Sequence, residues 1–365
     1  MFERNIIIIG GGPSGLSTAL HIARDFPDLT ARILVLEKAR YPRLKLCAGG
    51  LVIDAEVILQ RLGLDVSEVP HVDADRMHFD FEARGLQIRV PRRHALRVIR
   101  RDEFDHWLAK KAESRGVEIR EGVAVRNILP DEDGVTVETN QGDFRAQVVV
   151  GADGSNGVTR RRIFPQAPVH TARVLEVLTP VYAGWQEKER SERAYFDFFP
   201  VLRNIAGYVW DFPTQVNGQI MRCWGIYDTN LLAEEERPPL KEPLDEEMSR
   251  FGFHLQDYEI KGHPIRWFTP QNPMAVPRVL LVGDAAGADP FLGEGISIAL
   301  GYGALAARAI GESFVKNDFS FTGYKKRFLK SALGQALVTR WLLTYLIYPL
   351  KWKGSQIFFW RILKP

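Results

Sequence analysis

Two glycine-rich segments at opposite ends of the chain constrain its fold more than any other feature. The first, residues 10–15, has the pattern Gly-x-Gly-x-x-Gly directly after an isoleucine-rich stretch. The second, residues 283–295, begins Gly-Asp-Ala-Ala-Gly and follows a stretch rich in valine and leucine. Each pattern is typical of a strand that ends in a tight turn before a helix, where backbone amides closely approach a nucleotide. The two segments therefore predict one nucleotide-binding domain that is discontinuous in sequence.

The N-terminal segment reads as a strand, turn, helix and strand over residues 4–37. Gly10 permits the tight turn, Gly12 leaves room for a pyrophosphate, and Gly15 lets the helix pack closely on the strand. Glu37 stands at the predicted end of the second strand, where a carboxylate accepts hydrogen bonds from a ribose. This arrangement predicts nucleotide binding at the first turn.

Composition limits the class of protein. The chain has 365 residues, of which 45% are hydrophobic, so it can bury a large core in two or three domains. Two cysteines give no disulfide framework and indicate a reducing compartment, and the eight histidines show no metal-ligand spacing, so no metal is assigned. The net charge of +3 comes from nine basic residues after position 324, which does not indicate a nucleic-acid partner.

The middle of the chain has the pattern of one helix followed by many strands. Residues 102–115 have the spacing of a helix, and strands are predicted at 117–119, 123–128, 135–139 and 146–150. Residues 171–230 are rich in β-branched and aromatic residues, which predicts an antiparallel sheet, and residues 231–250 predict a surface loop and a helix. After the second glycine-rich turn, a helix is predicted over 296–309. The expected class is α/β: a discontinuous Rossmann-like domain, an antiparallel β-sheet domain and a C-terminal helical segment.

Four features taken together resemble the p-hydroxybenzoate-hydroxylase-like flavoproteins: the Gly10 loop, Arg101, the turn at Asp153 and the turn at Asp284. The resemblance implies that the cofactor is FAD. It implies that Glu37 holds the adenosine ribose and that Asp284 contacts the flavin side. Arg100 is the alternative register for Arg101, and an ordinary surface charge is the other interpretation. The residues that the resemblance assigns to FAD are Gly10, Gly12, Pro13, Ser14, Gly15, Glu37, Lys38, Cys47, Ala48, Gly49, Arg101, Val123, Ala124, Asp153, Gly154, Gly283, Asp284, Pro290, Gly293, Gly295 and Ile296.

Two further stretches resemble the geranylgeranyl reductases within that superfamily. Residues 42–51 resemble a Lys-x-Cys-Gly-Gly-Gly-Leu segment, with Ala48 where a glycine is common, and residues 208–213 match a Tyr-x-Trp-x-Phe-Pro motif. The resemblance implies that Tyr208 and Trp210 line the substrate cavity, although alternate residues of a core strand give the same pattern. Cys47 is expected to shape the active site without acting as a nucleophile, because no base adjoins it. The catalytic candidates are Cys47, Tyr208 and Trp210.

The activity that this resemblance implies is FAD-dependent reduction of isolated double bonds in a geranylgeranyl chain of a lipid, a quinone or a chlorophyll precursor. The hydride comes from N5 of the reduced flavin, and the external donor is NAD(P)H or another reduced carrier. Expected substrates are a prenylated lipid or a prenyl diphosphate. The proton source stays open among Tyr208, Cys47, a water and the flavin. The alternatives are a flavin monooxygenase and a flavin-dependent halogenase, for which Lys45 is the nearest candidate lysine.

The predicted FAD-binding domain comprises residues 1–75, 96–168 and 270–322. The predicted substrate-binding domain comprises residues 76–95 and 169–269. Residues 323–365 form a basic and aromatic helical region whose apolar core is too short to span a bilayer. This composition favours attachment to an anionic membrane surface, with a helix packed on the substrate domain as the alternative. The expected location is the cytoplasm, and peripheral attachment at the inner face of the membrane is left open.

Overall fold

The structure is a computed structural model that describes residues 5–81, 85–182, 193–231 and 238–350. Its α-helices are α1 (Pro13–Asp25), α2 (Ile53–Arg61), α3 (Arg101–Glu113), α4 (Val158–Ile163), α5 (Lys241–Ser249), α6 (Ile296–Lys316), α7 (Tyr324–Lys330) and α8 (Ala332–Ile347). Short 3-10 helices lie at Pro27–Arg32, Val66–Glu68, Phe199–Arg203, Leu255–Asp257 and Gly283–Ala285.

The first nine strands are β1 (Ile6–Ile9), β2 (Ile33–Glu37), β3 (Gly50–Leu51), β4 (His71–Ala74), β5 (Arg76–Asp80), β6 (Leu86–Arg89), β7 (Leu96–Ile99), β8 (Glu118–Glu121) and β9 (Val125–Pro130). The later strands are β10 (Val135–Thr139), β11 (Gly142–Ala146), β12 (Val148–Gly151), β13 (Thr171–Pro180), β14 (Arg193–Asp197), β15 (Gly207–Val216), β16 (Gln219–Asp228), β17 (Lys261–Arg266), β18 (Ala275–Val276) and β19 (Val279–Leu281).

A six-stranded sheet in the order β18-β19-β12-β1-β2-β8 forms the centre of the first domain. All its pairs are parallel except the one between β18 and β19. Every residue of β1 is buried, as expected when both faces of a parallel sheet are covered. Because β12 pairs with the N-terminal β1 on one side and with β19 on the other, the predicted discontinuity is confirmed.

Helices α1 and α6 pack against each other across the first domain, and each begins at one of the two glycine-rich turns. A side chain at Gly303 would collide with Ser17, and one at Gly311 would overlap the ring of Phe26. The Ser17 hydroxyl donates to the Leu300 carbonyl at 2.7 Å. The small residues of α6 therefore bring the two turns together, and the helix extends past the predicted end to Lys316.

The second domain is built on a seven-stranded sheet in the order β17-β13-β16-β15-β14-β5-β6. Its pairs are antiparallel except β14 with β5, so the predicted antiparallel region is confirmed. One face carries an aromatic cluster, and the other packs on α5 through Leu244 and Met248. Helix α5 lies in the predicted acidic segment, of which residues 232–237 are outside the described residues.

Several predicted strand boundaries were wrong, such as the strand expected over 117–119, which is β8, and two of these errors have a clear cause. The strand expected from residue 123 begins at Val125, because the amide of Val123 donates to Glu37 and that of Ala124 to the side chain of Asn140. The strand expected over 146–150 is split at Gln147, whose amide donates to the Asn5 carbonyl at 3.1 Å. At Gln147 the chain leaves a small antiparallel sheet and enters the central parallel sheet.

The C-terminal helices α7 and α8 follow the first domain. Phe328 of α7 stacks on Tyr302 of α6, with ring centroids 4.8 Å apart. Ser331 caps α8 by accepting a hydrogen bond from the Gly334 amide at 3.1 Å. Within the described ranges, no helix is long and apolar enough to cross a membrane. Residues 351–365, which hold part of the predicted basic and aromatic region, lie outside the described residues.

Candidate functional site

The first glycine-rich turn is too tight for larger residues. Gly10 has a φ of +108°, and a Cβ there would overlap the Ala152 carbonyl. A Cβ at Gly15 would overlap the carbonyl oxygen of Gly10. At Gly12, which caps α1, the same position is open on one side and lies 3.6 Å from an amino nitrogen of Arg43. The turn is closed where it packs on protein and open where the resemblance expects a pyrophosphate.

Glu37 holds this turn in place. Its carboxylate accepts the Gly11 amide at 2.9 Å and the Ala39 amide at 3.0 Å, and it is 4% exposed. A carboxylate has about four acceptor positions, so capacity for a ribose hydroxyl remains. The neighbouring Lys38 is exposed. Glu37 therefore fits the ribose role and also orders the loop.

Two arginines stand beside the start of α1. The second amino nitrogen of Arg101 lies 3.9 Å from the Cβ position of Gly12, next to that of Arg43. Asp105 holds both guanidinium groups, at 2.8 Å from Arg101 and 3.1 Å from Arg43. Burial opposes the charged form of Arg101, but Asp105 keeps its pKa above the ordinary value. Arg100 instead lies 3.7 Å from Asp102, so the structure places Arg101 at the turn.

This cradle fits the pyrophosphate of an FAD molecule. The N-terminus of α1 and two guanidinium groups are the groups that bind phosphate oxygens in proteins. Nε of Arg43 is buried without a hydrogen bond and lies 3.4 Å from the Glu37 carboxylate, so the two residues form an ion pair at the cradle. The Tyr41 hydroxyl donates to the Gly11 carbonyl and fixes the floor of the cradle.

The second glycine-rich turn meets the first. Gly283 has a φ of +58°, and a Cβ there would collide with the Ser14 hydroxyl. The Asp284 carboxylate accepts the Ser155 hydroxyl at 3.2 Å. The same hydroxyl accepts the Arg266 amide at 2.9 Å, which links the turn to strand β17. Three segments that are far apart in sequence therefore converge at Asp284.

Asp153, which the resemblance assigns to FAD, also bonds to the start of α4. Its carboxylate accepts both the amide and the hydroxyl of Thr159, at 2.8 and 3.0 Å, and so anchors α4. Burial raises its pKa, and its second oxygen is buried without a partner. Gly154, with a φ of +77°, faces open space. The amide and carbonyl of Ala124 are both bonded to Asn140 beside the buried Val123.

Side chains from three elements hold the residues before α6. The hydroxyl of Tyr227 donates to the Pro290 carbonyl at 3.0 Å, and that of Tyr348 to the Phe291 carbonyl at 2.6 Å. The Tyr208 hydroxyl donates to the Leu292 carbonyl. One side chain of α8, Arg340, spans the same loop by binding the carboxylates of Asp289 at 2.9 Å and Glu294 at 3.0 Å.

The N-terminus of α6 beyond this loop is left open. The position of a Cβ at Gly295, the capping residue, has no atom within 4 Å, and Ile296 follows it buried. Gly293 has a φ of +67°, and the ring of Tyr227 lies where its side chain would be. The fixed loop and the open helix start are compatible with the flavin role that the resemblance assigns here.

The segment around Cys47 closes the site from the other side. The Gly49 amide donates to Sγ of Cys47 at 3.4 Å, and burial raises the pKa of the thiol. Ala48 packs on the aromatic cluster of the second domain. Burial lowers the pKa of Lys45, while the nearby Asp284 carboxylate acts in the opposite direction. The segment therefore lies between the Asp284 turn and the substrate sheet.

Tyr208 and Trp210 lie on the face of β15 that carries the aromatic cluster, with ring centroids 6.3 Å apart. A Cβ on Gly225 of the neighbouring strand would overlap the Trp210 ring, so this glycine makes room for the indole. Nε1 of Trp210 is buried without a hydrogen-bond partner. Both residues are packed core residues on the face that turns toward the Cys47 segment.

A cavity of about 630 Å³ lies apart from this site, between residues 163–170, residues 269–273 and the side chains of Trp341 and Tyr345. Across the described residues, no group of three or more His, Cys, Asp and Glu side chains is arranged to hold a metal ion.

The sequence profile of the FAD binding domain family matches residues 3–301, which include both glycine-rich turns and the Cys47 segment. The chain belongs to this family. It is therefore an FAD-dependent oxidoreductase, and its α/β fold with two sheets and a helical C-terminus agrees with that of its structural neighbours.

Three relatives share most of this chain. An uncharacterised protein of Methanosarcina barkeri is 26% identical over 91% of this chain and 81% of its own length. The digeranylgeranylglycerophospholipid reductase of Thermoplasma volcanium is 26% identical over 93% of this chain and 86% of its own length. The rifampicin monooxygenase of Streptomyces venezuelae is 29% identical over 82% of this chain but only 62% of its own length.

Solved structures with this fold include a reductase-like protein and a halogenase. A geranylgeranyl bacteriochlorophyll reductase-like protein of Thermoplasma acidophilum superposes with a TM-score of 0.77 at 22% identity, covering 95% of this chain and 88% of that one. The halogenase PltM superposes with a TM-score of 0.74 at 17% identity, covering 98% of this chain and 79% of that one. The fold is thus shared between reductases and halogenases, and at these identities it does not select a reaction.

Several residues of the site were not assigned from the sequence. Arg43, Tyr41 and Asp105 complete the phosphate cradle, and Glu176 and His263 of the substrate sheet face the Cys47 segment. Arg43 and Tyr41 had a signal, since both lie in or next to the stretch that resembles the reductases. The others had none, because they come from strands and helices that reach the site only in the folded chain.

Proposed function

We propose that this protein saturates isolated carbon–carbon double bonds in a prenyl chain, with FAD as its cofactor. The observation that carries the proposal is the aromatic face of the substrate sheet opposite the Cys47 segment. It lies beside the Asp284 turn and the start of α6, where the resemblance expects the flavin. The similarity to a digeranylgeranylglycerophospholipid reductase supports the same class of substrate.

The aromatic face suits an uncharged chain. Its rings form a continuous row, with centroids 5.4 Å apart between Phe196 and Tyr208 and 6.4 Å apart between Trp210 and Phe212. An isolated alkene offers no carbonyl or charge for a protein to bind, so it must be positioned by contact with apolar surfaces that exclude water. Aromatic side chains supply that surface with few rotatable bonds.

The chain's own residues would hold the cofactor next to this face. The start of α1, Arg43 and Arg101 would bind the pyrophosphate, Glu37 the ribose, and the Asp284 turn with the open start of α6 the flavin half. When bound and reduced, FAD supplies the hydride for the reaction. The donor that reduces it stays open between NAD(P)H and another reduced carrier.

A flavin monooxygenase or halogenase activity is the second candidate. The observation that favours it is Lys45, a half-buried lysine near Asp284 whose pKa is lowered by burial. A lysine in this position could act on an oxygenated or halogenated intermediate, and a halogenase shares the fold. We place this candidate second because the residues around Lys45 and Trp210 match the reductase segments more closely.

An anaerobic experiment separates the candidates. The FAD-loaded enzyme is reduced, mixed without oxygen with geranylgeranyl diphosphate or with a geranylgeranylated lipid, and followed by flavin absorbance. We expect reoxidation of the flavin with at least one of these substrates. Reoxidation that requires oxygen, with an oxygen or halogen atom in the product, would contradict the proposal and support the second candidate.

We also propose that the C-terminal region binds an anionic membrane surface from which a lipid substrate enters. Leu342, Tyr345 and Leu346 form an exposed apolar ridge on α8, with exposed fractions of 55%, 46% and 65%. The sequence from Lys325 onward is basic and holds no acidic residue. Apolar and basic groups on one segment are typical of helices that lie in the membrane interface.

Vesicle pelleting tests the membrane proposal. Replacing both Leu342 and Leu346 with glutamine should lower pelleting with vesicles rich in phosphatidylserine, whereas Leu129→Gln, at an exposed leucine of β9, serves as the matched control. Deleting residues 340–365 should lower pelleting further, and this variant counts only if it still binds FAD, because it also removes Arg340 and Tyr348. Equal pelleting of the double variant and the wild type, with FAD binding retained, would contradict the role of the ridge.

A further inference from the structure

Glu176 is an acidic residue on the apolar face of strand β13. Ala172 and Val174, which precede it on the same face, belong to the aromatic cluster that contains Tyr208 and Trp210. Glu176 itself is 5% exposed. Burying a carboxyl group on such a face is costly, so its presence calls for a role.

The register of the sheet places Glu176 on the candidate substrate face, one strand in from the β17 edge. Its direct partners are Gly225 on β16 and Lys261 on β17. On the next strand Gly225 pairs with Trp210, whose ring covers the glycine. Glu176 therefore shares a row across the sheet with Gly225 and Trp210, next to the row of Val174, Tyr227 and Tyr208.

The same carboxyl group reaches the FAD-binding domain. The backbone amide of Cys47 and the side chains of Arg100 and Lys45 lie close enough to Glu176 to favour its charged form. Its second oxygen, Oε2, is buried and has no hydrogen-bond partner. An ionised carboxylate with a buried oxygen that lacks a partner is unfavourable, so this environment favours the protonated acid. Burial raises the pKa of Glu176 although Arg100, the Cys47 amide, Lys261 and Lys45 all act to lower it.

The other titratable groups at this face are poorer proton donors. The Tyr208 hydroxyl is bonded to the Leu292 carbonyl, and burial raises its pKa. Burial raises the pKa of the Cys47 thiol as well. Burial, with Lys45 and Arg101, lowers the pKa of His263 to about 3, so this imidazole is neutral at physiological pH. Among these four residues, Glu176 is the one whose surroundings favour a protonated acid while one of its oxygens has no hydrogen-bond partner.

We propose that Glu176 is the acid that protonates the double bond, an inference that rests on the proposed prenyl reduction. The O–H bond of Glu176 breaks as a C–H bond forms at one alkene carbon. The other carbon receives the hydride that reduced FAD supplies, so two electrons pass from the cofactor to the alkene and oxidised FAD remains. The Glu176 carboxylate then regains a proton from water before the next turnover.

The test compares Glu176→Gln with Glu247→Gln. Glutamine keeps the shape of Glu176 and an acceptor for the Cys47 amide but cannot donate a carboxylic proton. Glu247 is an equally buried glutamate on the opposite side of the sheet, where it pairs with Arg250 at 2.6 Å. Both variants should bind FAD and accept electrons into it at wild-type rates. Anaerobic flavin reoxidation by the prenyl substrate should fall at least ~100-fold in E176Q and stay within about twofold of wild type in E247Q.

A second measurement needs no turnover. In oxidised enzyme without substrate, the infrared difference spectrum between the wild type and E176Q should contain the carbonyl band of a protonated carboxyl group, and the difference spectrum between the wild type and E247Q should not. In heavy water, the wild-type product should gain one deuterium from solvent per reduced double bond. Glu176→Asp, which keeps an acid, should recover part of the lost rate, which a purely structural role for the Cys47 contact would not require.

The outcomes distinguish this inference from the proposed function. Wild-type reoxidation by E176Q, or an infrared spectrum that E176Q leaves unchanged, would overturn the proton-donor role and leave prenyl reduction standing. Absence of reoxidation in the wild type with every prenyl substrate would overturn both. Loss of FAD binding in E176Q would show that Glu176 builds the Cys47 segment, and it would overturn the inference unless E176D restored both FAD binding and part of the rate.

Discussion

The phosphate cradle is held together by a different kind of contact from the interdomain face, by which we mean the aromatic face of the substrate sheet opposite the Cys47 segment. In the cradle, Gly10, Gly15 and Glu37 act through the backbone of neighbouring turns. At the interdomain face, Glu176 and Tyr208 act through residues more than 80 positions away, such as Cys47 and Leu292. Backbone geometry leaves a pattern in the local sequence, whereas a side-chain partner brought by another domain leaves none. The cradle is consequently recognisable from its motif, and the chemistry of the face is not.

The largest expected effect is at Gly10. Gly10→Val places a side chain on the Ala152 carbonyl at a φ of +108°, so we expect loss of FAD binding by at least ~100-fold and a less stable protein. Gly142→Ala is the control, because Gly142 has a φ of +104° but no atom within 4 Å of its Cβ position. Gly142→Ala should lower the free energy of unfolding by only about 1–2 kcal/mol and leave FAD binding unchanged. Equal FAD binding by the two variants, measured by titration of the apoprotein, would refute the local account of the cradle.

The next effect concerns the loop before α6. Arg340→Met leaves the fully buried Asp289 without its cationic partner, which should lower the free energy of unfolding by about 3 kcal/mol at neutral pH. Burial raises the pKa of Asp289 while Arg340 opposes the rise. The loss should therefore shrink as the pH falls and Asp289 becomes protonated.

The control for this variant is Arg308→Met, at an ion pair with Glu312 in which the arginine is 73% exposed. Removing such a surface pair should change the free energy of unfolding by less than about 0.5 kcal/mol. Urea denaturation at two pH values measures both variants. A loss in R340M that does not depend on pH would show that the buried charge of Asp289 is not its cause.

Tyr208→Phe tests whether the Tyr208 hydroxyl holds the loop before α6 or donates the proton. It removes the hydrogen bond to the Leu292 carbonyl and should cost about 1 kcal/mol of stability, as should Tyr227→Phe at the Pro290 carbonyl. If the hydroxyl serves the loop and not the proton transfer, the Y208F rate of flavin reoxidation should stay within about tenfold of wild type. A fall as large as that expected for E176Q would restore Tyr208 as the proton donor.

The smallest effect is chemical and concerns Cys47. Burial raises the pKa of its thiol, so little reactive thiolate is present at neutral pH. Alkylation by iodoacetamide should be slow in the folded protein, quicken as the pH rises, and become fast in urea. Mass spectrometry of the Cys47 peptide measures it, with the fully buried Cys223 as the internal reference. Rapid alkylation of Cys47 at neutral pH would contradict a thiol that is held in its protonated form.

The parts of the fold that the sequence predicted correctly have local causes. The strand before Gly10, the helix after it and the helix after Gly295 follow from hydrophobic spacing and from glycines that only tight turns require. The split at Gln147 was missed because its amide bonds to Asn5, more than 140 residues away. The carboxyl group of Glu176 was missed for a similar reason, since in the sequence it is one acidic residue in an ordinary strand pattern. The Asp153 carboxylate was assigned to FAD, and its observed bonds to Thr159 give it a structural role whether or not it also contacts the cofactor.

The mass of the product made without oxygen tests the central claim most directly. Reduced, FAD-loaded enzyme is mixed anaerobically with a geranylgeranylated lipid. The lipid is then recovered, and its molecular mass is measured by mass spectrometry. We expect the lipid to gain two hydrogens for each double bond reduced, with the rest of the molecule unchanged. An unchanged lipid without oxygen, and a lipid that carries an added oxygen or halogen atom once oxygen and halide are supplied, would contradict it.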